Sequence, residues 1–393
     1  MLSLVLKPDR LAAVRRRHPW LFARSVGRQE GDAADGLVEA RGPDGTFLAR
    51  GFASPRSPIV ARWWTFEERP LDEGLVAPLV EAAVALRRRV VPPETDGFRA
   101  VNAEGDLLPG LVVDRYAQTL VVQATTEGTE RARSLWLPAL LKALPGSVVV
   151  QRNDLASRRG EGLPLADELL AGPQIPKRVP FRERGLRFFA DVENGQKTGF
   201  FLDQRENRQL VRELSAGRRL LNVFAYTGAF GVAALAGGAS AVTHVETSEG
   251  ALRLAREHHL LNGQDPAPVG FAAADAFEDL RARVAAGERW GLIVTDPPAF
   301  AKRRGDVERA CRGYKDLGRL ALKLLEPGGL LLACSCSGPV SPDLFQKVLF
   351  AASLEAGVRV RLLLRRGAGP DHPVSLDCPE GDYLKAFLLE AAA

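Results

Sequence analysis

Sulfur is scarce in this chain: four cysteines and one methionine among 393 residues. So few cysteines cannot build a disulfide framework at this length. Reduced thiols are expected, one of them reactive. Cys311, Cys334, Cys336 and Cys378 show no paired metal-ligand spacing, which argues against zinc, and no metal is expected. Lysine is scarce as well: nine of the 53 basic residues, the other 44 being arginine, with a net charge of +5. Arginine forks suit phosphates and stack on bases, although a GC-rich or heat-adapted genome produces the same bias. Long apolar runs are missing, and none approaches the ~20 residues of a membrane-spanning helix. The opening Met1–Arg10 has too short an apolar run for a signal peptide and no small-residue cleavage site. No membrane association and a cytoplasmic location are therefore expected. Internal repeats and low-complexity segments are also missing.

What is present is ordinary globular composition, 46% hydrophobic and 26% charged, at a length that suits two or three domains. Residues 1–70 read as short strands with Gly/Pro/Asp turns, a small β-rich module. Arg15-Arg16-Arg17-His18-Pro19-Trp20 forms a basic and aromatic cluster within it. Residues 71–190 read as a central α+β module: a helix from Leu75 to Val90, strands at 107–116 and 119–124, a helix at 129–144 and a strand at 147–151. A connector (171–180) and a hairpin strand (181–191) close it. From 191 to 393 strands and helices alternate, which implies an α/β domain built on a largely parallel sheet. Strands are expected at 219–224, 241–246, 269–273, 292–295, 330–334, 359–364 and 383–389. Helices are expected at 201–216, 228–236, from the Ser248 cap to Asn262, 277–286, 306–325 and from Ser341-Pro342 onward. The helix at 306–325 places Ala310, Tyr314, Leu317, Ala321 and Leu324 on one apolar face.

The chemistry concentrates at the strand ends, where ligands bind in such sheets. Asn222-Val-Phe-Ala-Tyr-Thr-Gly228 follows the first strand. Glu246, ending the second, offers a carboxylate to the two hydroxyls of a ribose. Asp275, after the third, offers one to an adenine amino group. The loop is not Gly-x-Gly-x-x-Gly, so no pyrophosphate cradle is evident. Acids after strands two and three without a diphosphate site fit S-adenosylmethionine. The fourth strand ends in Asp296-Pro-Pro298, a carboxylate beside two peptide units without N–H donors, suited to a planar base. The fifth ends in Cys334-Ser-Cys336-Ser337, a source of a thiol nucleophile. Lys302, Arg303, Arg304, Arg309, Arg312 and Lys315 follow the Asp-Pro-Pro corner, where a polyanion would dock.

The strings Lys197-Thr-Gly-Phe-Phe-Leu-Asp-Gln-Arg205, Asn222–Gly228, Asp296-Pro-Pro298, Cys311-Arg-Gly-Tyr-Lys-Asp316, Ser335-Cys-Ser-Gly338 and Asp371-His-Pro373 closely resemble the bacterial 23S rRNA cytosine-C5 methyltransferases that carry an N-terminal PUA domain. His18-Pro-Trp-Leu-Phe22 and Gly51-Phe-Ala-Ser-Pro55 look like that family's PUA segment. The resemblance implies a PUA-like RNA-binding domain, a central module and a class I (Rossmann-like) methyltransferase domain with a seven-stranded, mostly parallel sheet. It implies S-adenosylmethionine as cofactor, held by Phe201, Gln204, Asn222, Phe224, Tyr226, Thr227, Gly228, Glu246, Thr247, Ser248, Asp275, Ala276 and Asp296. The 197–205 string would form a lid. It implies 23S rRNA or a large-subunit assembly intermediate as partner, met by Lys302, Arg303, Arg304, Arg312, Tyr314 and Lys315. A homodimer stays open.

A thiolate adding to cytosine C6 makes C5 nucleophilic, and a carboxyl beside N3 and N4 stabilises the adduct. The resemblance places that nucleophile at Cys336, and Asp296 is the candidate carboxyl. Cys334, two residues away on the same face, is read as a packing thiol. His372 is a turn histidine or an orienting group, and His258-His259 are expected on a helix surface. Ala299 stands where another group of RNA cytosine-C5 methyltransferases has a second cysteine, so the base that removes the C5 proton is not evident. An exocyclic-amine methyltransferase and an RNA-binding protein on an inactive methyltransferase fold are the alternatives; a nicotinamide dehydrogenase lacks its glycine fingerprint.

Overall fold

The computed structural model describes residues 1–154, 156–265 and 267–392. It divides into two compact units. The first holds Met1–Gly185, Phe189–Asp203 and Pro370–Gly381; the second holds Leu186–Phe188, Gln204–Gly369 and Asp382–Ala393. The division therefore differs from a simple cut at residue 190: the Asp371-His372-Pro373 string belongs with the first unit.

The first unit contains two sheets. Six strands between Leu2 and Thr65 form one, with Leu6, Leu21, Val38, Ala61 and Trp63 in its core. Three of these strands, Leu2–Leu6, Trp20–Phe22 and Val26–Glu30, are not expected from the sequence: the second has only three residues and the third carries Arg28 and Glu30. The second sheet has five strands, among them Gly97–Asn102, Leu111–Tyr116, Thr119–Ala124 and Val148–Gln151. The helix Glu73–Val90 covers it, capped by the Asp72 carboxylate accepting from Leu75 N at 3.1 Å. Its buried stripe, Val76, Val80, Ala83, Val84 and Arg87, repeats at helical spacing. Arg87 is fully buried, and its guanidinium donates to Asp106, to the Arg99 carbonyl and to the Asp371 carbonyl. Two strands, Arg178–Glu183 and Leu186–Asp191, stand where the sequence suggests one.

The second unit is built on a seven-stranded sheet. Its strands are β1 (Arg219–Val223), β2 (Ala241–Glu246), β3 (Val269–Ala273), β4 (Trp290–Thr295), β5 (Leu325–Ser335), β6 (Val360–Arg366) and β7 (Lys385–Ala391). Their spatial order is β3-β2-β1-β4-β5-β7-β6, with β7 antiparallel to both neighbours and the others parallel. Every residue of β4 is buried, as an apolar run sandwiched between helices should be. Six helices of the second unit are α1 (Arg205–Leu214), α2 (Ala229–Ala236), α3 (Glu249–Leu261), α4 (Ala276–Ala285), α5 (Val307–Lys323) and α6 (Pro342–Ala356). On α5 the apolar face is as the spacing predicts: Ala310, Tyr314, Leu317 and Ala321 are all buried. α1 starts at Arg205, not at 201. Leu202–Gln204 form a 3-10 turn before it. The helix expected from residue 306 ends at Lys323, because Leu325 already pairs with Trp290 in the sheet.

Strand order reverses between β1 and β4. That reversal opens a crevice at the carboxyl ends of the strands, the usual ligand position in an open α/β sheet. No helix among the described residues is long and apolar enough to cross a membrane.

Candidate active site

The loop leaving β1 is held in an unusual backbone conformation. Phe224 and Tyr226 take positive φ, 60° and 46°, although neither is glycine. The turn thus formed aims the Tyr226 amide at the end of β2, where it donates to Glu246 Oε2 at 2.9 Å. The other oxygen, Oε1, accepts from the Ser248 amide at 3.0 Å and from the Thr247 hydroxyl at 3.2 Å. Glu246 is thereby fixed in orientation, with both acceptor sites of Oε1 taken and one left on Oε2 for an incoming hydroxyl. Ser248 caps α3, accepting from Ala251 N at 3.2 Å. Asp275 caps α4: its Oδ1 accepts from Phe277 N and Glu278 N, and the residue is exposed. Ala276 lies buried in the first turn of that helix.

Gly228 closes the loop at φ 74°, and a Cβ there would meet the Ala255 side chain at 2.7 Å. Helix α2 follows with no side-chain cap bond at its start. The arrangement has two separate carboxylates at successive strand ends and no three-glycine turn, so it fits an adenosine-bearing cofactor that lacks a diphosphate.

Asp296 sits at the reversal itself, its amide donating to the Val223 carbonyl of β1 at 3.3 Å. Pro297 is buried and Pro298 exposed. On the neighbouring strand, β5 ends at Ser335, so Cys336 lies one step beyond the sheet rather than on it. Cys334 is buried in the sheet core as a packing thiol, and Cys336 is half-buried. The Cys336 Sγ comes 3.7 Å from the Pro297 carbonyl. Thiol and Asp-Pro-Pro corner are therefore brought together.

Two further residues complete this corner. Lys385, the first residue of β7, is buried, and its ammonium donates to the Ser337 and Tyr383 carbonyls, both at 2.7 Å. Burial pushes its pKa down, opposed by the charges of Cys336 and Asp382. A positive charge thus stands within electrostatic reach of the thiol. The sequence reading missed Lys385, and its place in an apolar strand start, nearly fifty residues after Cys336, gives no local signal. The second is Tyr314. It was expected to meet RNA, but it is 2% exposed, with its hydroxyl on Ser337 Oγ at 2.8 Å. Ser337 Oγ also accepts from Ala301 N at 2.9 Å. Tyr314 thus braces the loop carrying Cys336 from inside the core: it lies in a basic segment, but the helical spacing puts it on the apolar face of α5. Burial raises the Tyr314 pKa.

The basic segment is split in character. Lys302, Arg303 and Arg304 are exposed and have no partner among the described residues. Arg312 pairs with Glu308 along α5, and Lys315 pairs with Glu355 at 2.7 Å. Gln204 is buried and accepts from Asn207 Nδ2 at 2.6 Å. Phe201 belongs to the first unit, where the Lys197 ammonium lies 4.5 Å from its ring centre.

Two histidine expectations change. His258 and His259 are buried, not on a helix surface. His258 Nδ1 meets the Thr227 carbonyl at 2.9 Å, and His259 Nε2 meets His244 Nε2 at 2.9 Å. His372 is buried in the first unit, Nδ1 on Asp371 Oδ1 at 3.2 Å. Also in the first unit, His18, Cys378 and Glu380 cluster within ligand distance of one another. Their hydrogen bonds speak against a metal. Trp20 N–H donates to His18 Nδ1 at 3.1 Å, so Nε2 carries the proton and donates to Glu380 instead of offering a lone pair.

Residues 161–387 match the S-adenosylmethionine-dependent methyltransferase family, and residues 4–66 match a PUA-like domain. The chain belongs to the S-adenosylmethionine-dependent methyltransferases. Two relatives named ribosomal RNA large subunit methyltransferase I match this methyltransferase nearly end to end. One from Serratia proteamaculans is 42% identical over 392 residues, 98% of each chain. One from Yersinia pseudotuberculosis is 41% identical over 387 residues, again 98% of each. Among solved structures, a Streptococcus mutans protein described as a candidate SAM-dependent methyltransferase superposes over 100% of both chains with TM-score 0.86 at 22% identity. Another methyltransferase-like protein, complexed with S-adenosylhomocysteine (SAH), gives TM-score 0.87 at 22% identity. These likenesses show the fold.

Proposed function

We propose that this methyltransferase modifies C5 of a cytidine in large-subunit (23S) ribosomal RNA through a covalent bond between Cys336 and C6. One observation carries the reading: the Cys336 thiol lies 3.7 Å from the carbonyl of Pro297, in the Asp-Pro-Pro ledge, so nucleophile and base-binding carboxylate share one corner. The names of the full-length relatives support ribosomal RNA as substrate.

In this reading the unpaired Lys302, Arg303 and Arg304 take the RNA backbone. The target base lies flat against the exposed Pro298, with Asp296 at its N3 and N4 edge. The Lys385 ammonium favours the thiolate over the thiol. Cys336 Sγ adds to C6, and the Asp296 carboxyl hydrogen-bonds N3 as the ring loses aromaticity. S-adenosylmethionine, held by Glu246, Asp275 and the Asn222–Gly228 loop, supplies the methyl group to C5. Loss of the C5 proton to a base then expels the thiolate. Ala299 follows the prolines, so that base stands outside the Asp-Pro-Pro-Ala string.

The test is a transcript carrying 5-fluorocytidine. With S-adenosylmethionine present, it should become bonded to the wild-type protein in a denaturant-resistant complex. Cys336→Ala should form none. A wild-type enzyme that methylates ribosomal RNA but never traps this transcript would overturn the C5 reading in favour of amine methylation, which needs no thiol.

A further inference from the structure

The consecutive histidines of α3 are buried although i and i+1 positions on a helix diverge by about 100°. One reaches the loop after β1 and the other reaches β2. His258 Nδ1 meets the Thr227 carbonyl at 2.9 Å. Since a carbonyl only accepts, Nδ1 carries a proton there. His259 begins a chain of contacts: Nε2 to His244 Nε2 at 2.9 Å, then His244 Nδ1 to Asn222 Nδ2 at 3.1 Å. On its other side His259 Nδ1 meets Gln264 Oε1 at 2.6 Å, and Gln264 Nε2 donates to the Val232 carbonyl of α2 at 2.8 Å.

The direction of this chain is set at its end. The Val232 carbonyl accepts only, so Gln264 turns Nε2 toward it and Oε1 toward His259. His259 must then hold its proton on Nδ1 and accept at Nε2. His244 must hold its proton on Nε2 and accept at Nδ1 from the Asn222 amide. Reversing the chain would set the Gln264 oxygen against the Val232 oxygen. The contacts therefore run one way: Asn222 to His244 to His259 to Gln264 to Val232. Both imidazoles are neutral in this arrangement, and burial holds both pKa values below the ordinary histidine value.

The space around His244 is equally specific. Phe271 of β3 stacks on its ring at 5.3 Å and 28°. A Cβ at Gly231 would lie 2.3 Å from His244 Cε1, so the first turn of α2 closes onto the imidazole only because residue 231 is glycine. Asn222 is the last residue but one of β1, Thr227 lies on the loop, and Gly231 and Val232 lie on the helix behind it. The histidines thus grip the cofactor loop at its start, its middle and its far side.

We propose that His244, His258 and His259 are positioning residues that hold the Asn222–Gly228 loop in its positive-φ form, and so set affinity for S-adenosylmethionine without touching it. The proposal rests on the cofactor and not on C5 chemistry, so its failure and that of the C5 reading are separable: cofactor binding is measured without RNA.

Ring nitrogen NMR of the full chain, which holds only five histidines, reads the tautomers directly. At pH 7.5, His259 and His258 should show protonated Nδ1, and His244 protonated Nε2. Adding S-adenosylhomocysteine should shift all three and leave His18 in place. Calorimetry then tests the consequence. His259→Phe keeps the ring volume and removes the acceptor; its Kd for S-adenosylhomocysteine should rise at least about tenfold, with kcat at saturating cofactor within about threefold of wild type. His259→Gln places an oxygen near the position of Nε2 and should restore Kd to within about threefold. A His259 carrying its proton on Nε2, a charged His244, ring signals unmoved by the cofactor, or a folded His259→Phe that binds as tightly as wild type would each overturn the proposal. Should His259→Phe not fold, the tautomers and their response to cofactor in the wild type decide alone.

Discussion

Cys336 sits half-buried just past the end of β5, with the Lys385 ammonium acting on it. Cys378 is buried in the first unit, and Glu104, Asp377 and Glu380 surround it with negative charge. Burial, then Glu104 and Glu380, push the Cys378 thiol well up from its ordinary pKa. A thiolate is the reactive form, and its formation is governed by burial and by the sign of nearby charge. The comparison teaches that two thiols indistinguishable by composition sit in opposite electrostatic settings: Cys336 through Lys385, nearly fifty residues away, and Cys378 through burial, the distant Glu104 and its own neighbours Asp377 and Glu380.

The sharpest way to break this contrast is to remove each sulfur. Cys336→Ala should lower methyl transfer to unmodified ribosomal RNA by at least about a thousandfold. Cys378→Ala should leave it within about twofold, as read by radiolabelled methyl incorporation. Equal losses would show that position, not surroundings, was misjudged. Asp296→Asn comes next and tests the carboxyl across from Cys336; kcat should fall about a hundredfold or more, with the cofactor still bound. Lys385→Met removes the positive charge beside Cys336. Its alkylation by iodoacetamide near neutral pH should slow about tenfold, the change expected for one unit of thiol pKa. An unchanged pH profile of alkylation would strike Lys385 from the site.

Two smaller effects sharpen the picture. His244 and His259 are buried neutral, with folded-state pKa values below the ordinary one of about 6.5. As pH falls below about 6.5 the unfolded chain takes up protons that the folded chain refuses, so stability is full above that value and declines below it. Thermal unfolding of the wild type should shift to lower temperature between pH 7 and pH 5, and a His244→Asn, His259→Gln variant should lose part of that slope. Last, Glu380→Gln removes one of the charges around Cys378 and should bring its thiol titration down without altering methyl transfer.

The sequence shows the second unit's architecture well because its signals are local. Apolar runs separated by helical spacing mark the parallel strands, and the expected 269–273 strand agrees with the observed Val269–Ala273. Ser248 and Ser341 announce helix starts through short-range caps that are both present, whereas Asp275, read only as a cofactor carboxylate, also caps its helix. Glu246 and Asp296 are found at strand ends, as their place after apolar runs suggests. What escapes is long-range. Lys385 reaches the Ser337 carbonyl because β7 enters antiparallel between β5 and β6, and nothing near residue 385 encodes that insertion. His258 and His259 look like surface residues by helical period, since one helix face cannot bury both; a loop on one side and a strand on the other bury one each. Tyr314 carried two compatible readings, and packing against Ser337 chose between them.

The return of Pro370–Gly381 to the first unit bears on how this polypeptide matures. Arg87 needs the Asp371 carbonyl, Asn102 the Pro373 carbonyl, and His18 the Glu380 carboxylate. During synthesis the amino-terminal half therefore emerges with a guanidinium destined for the interior still lacking one of its acceptors. Its assembly can finish only when translation is almost over, so premature termination anywhere before residue 371 would leave both halves defective instead of releasing an intact leading domain.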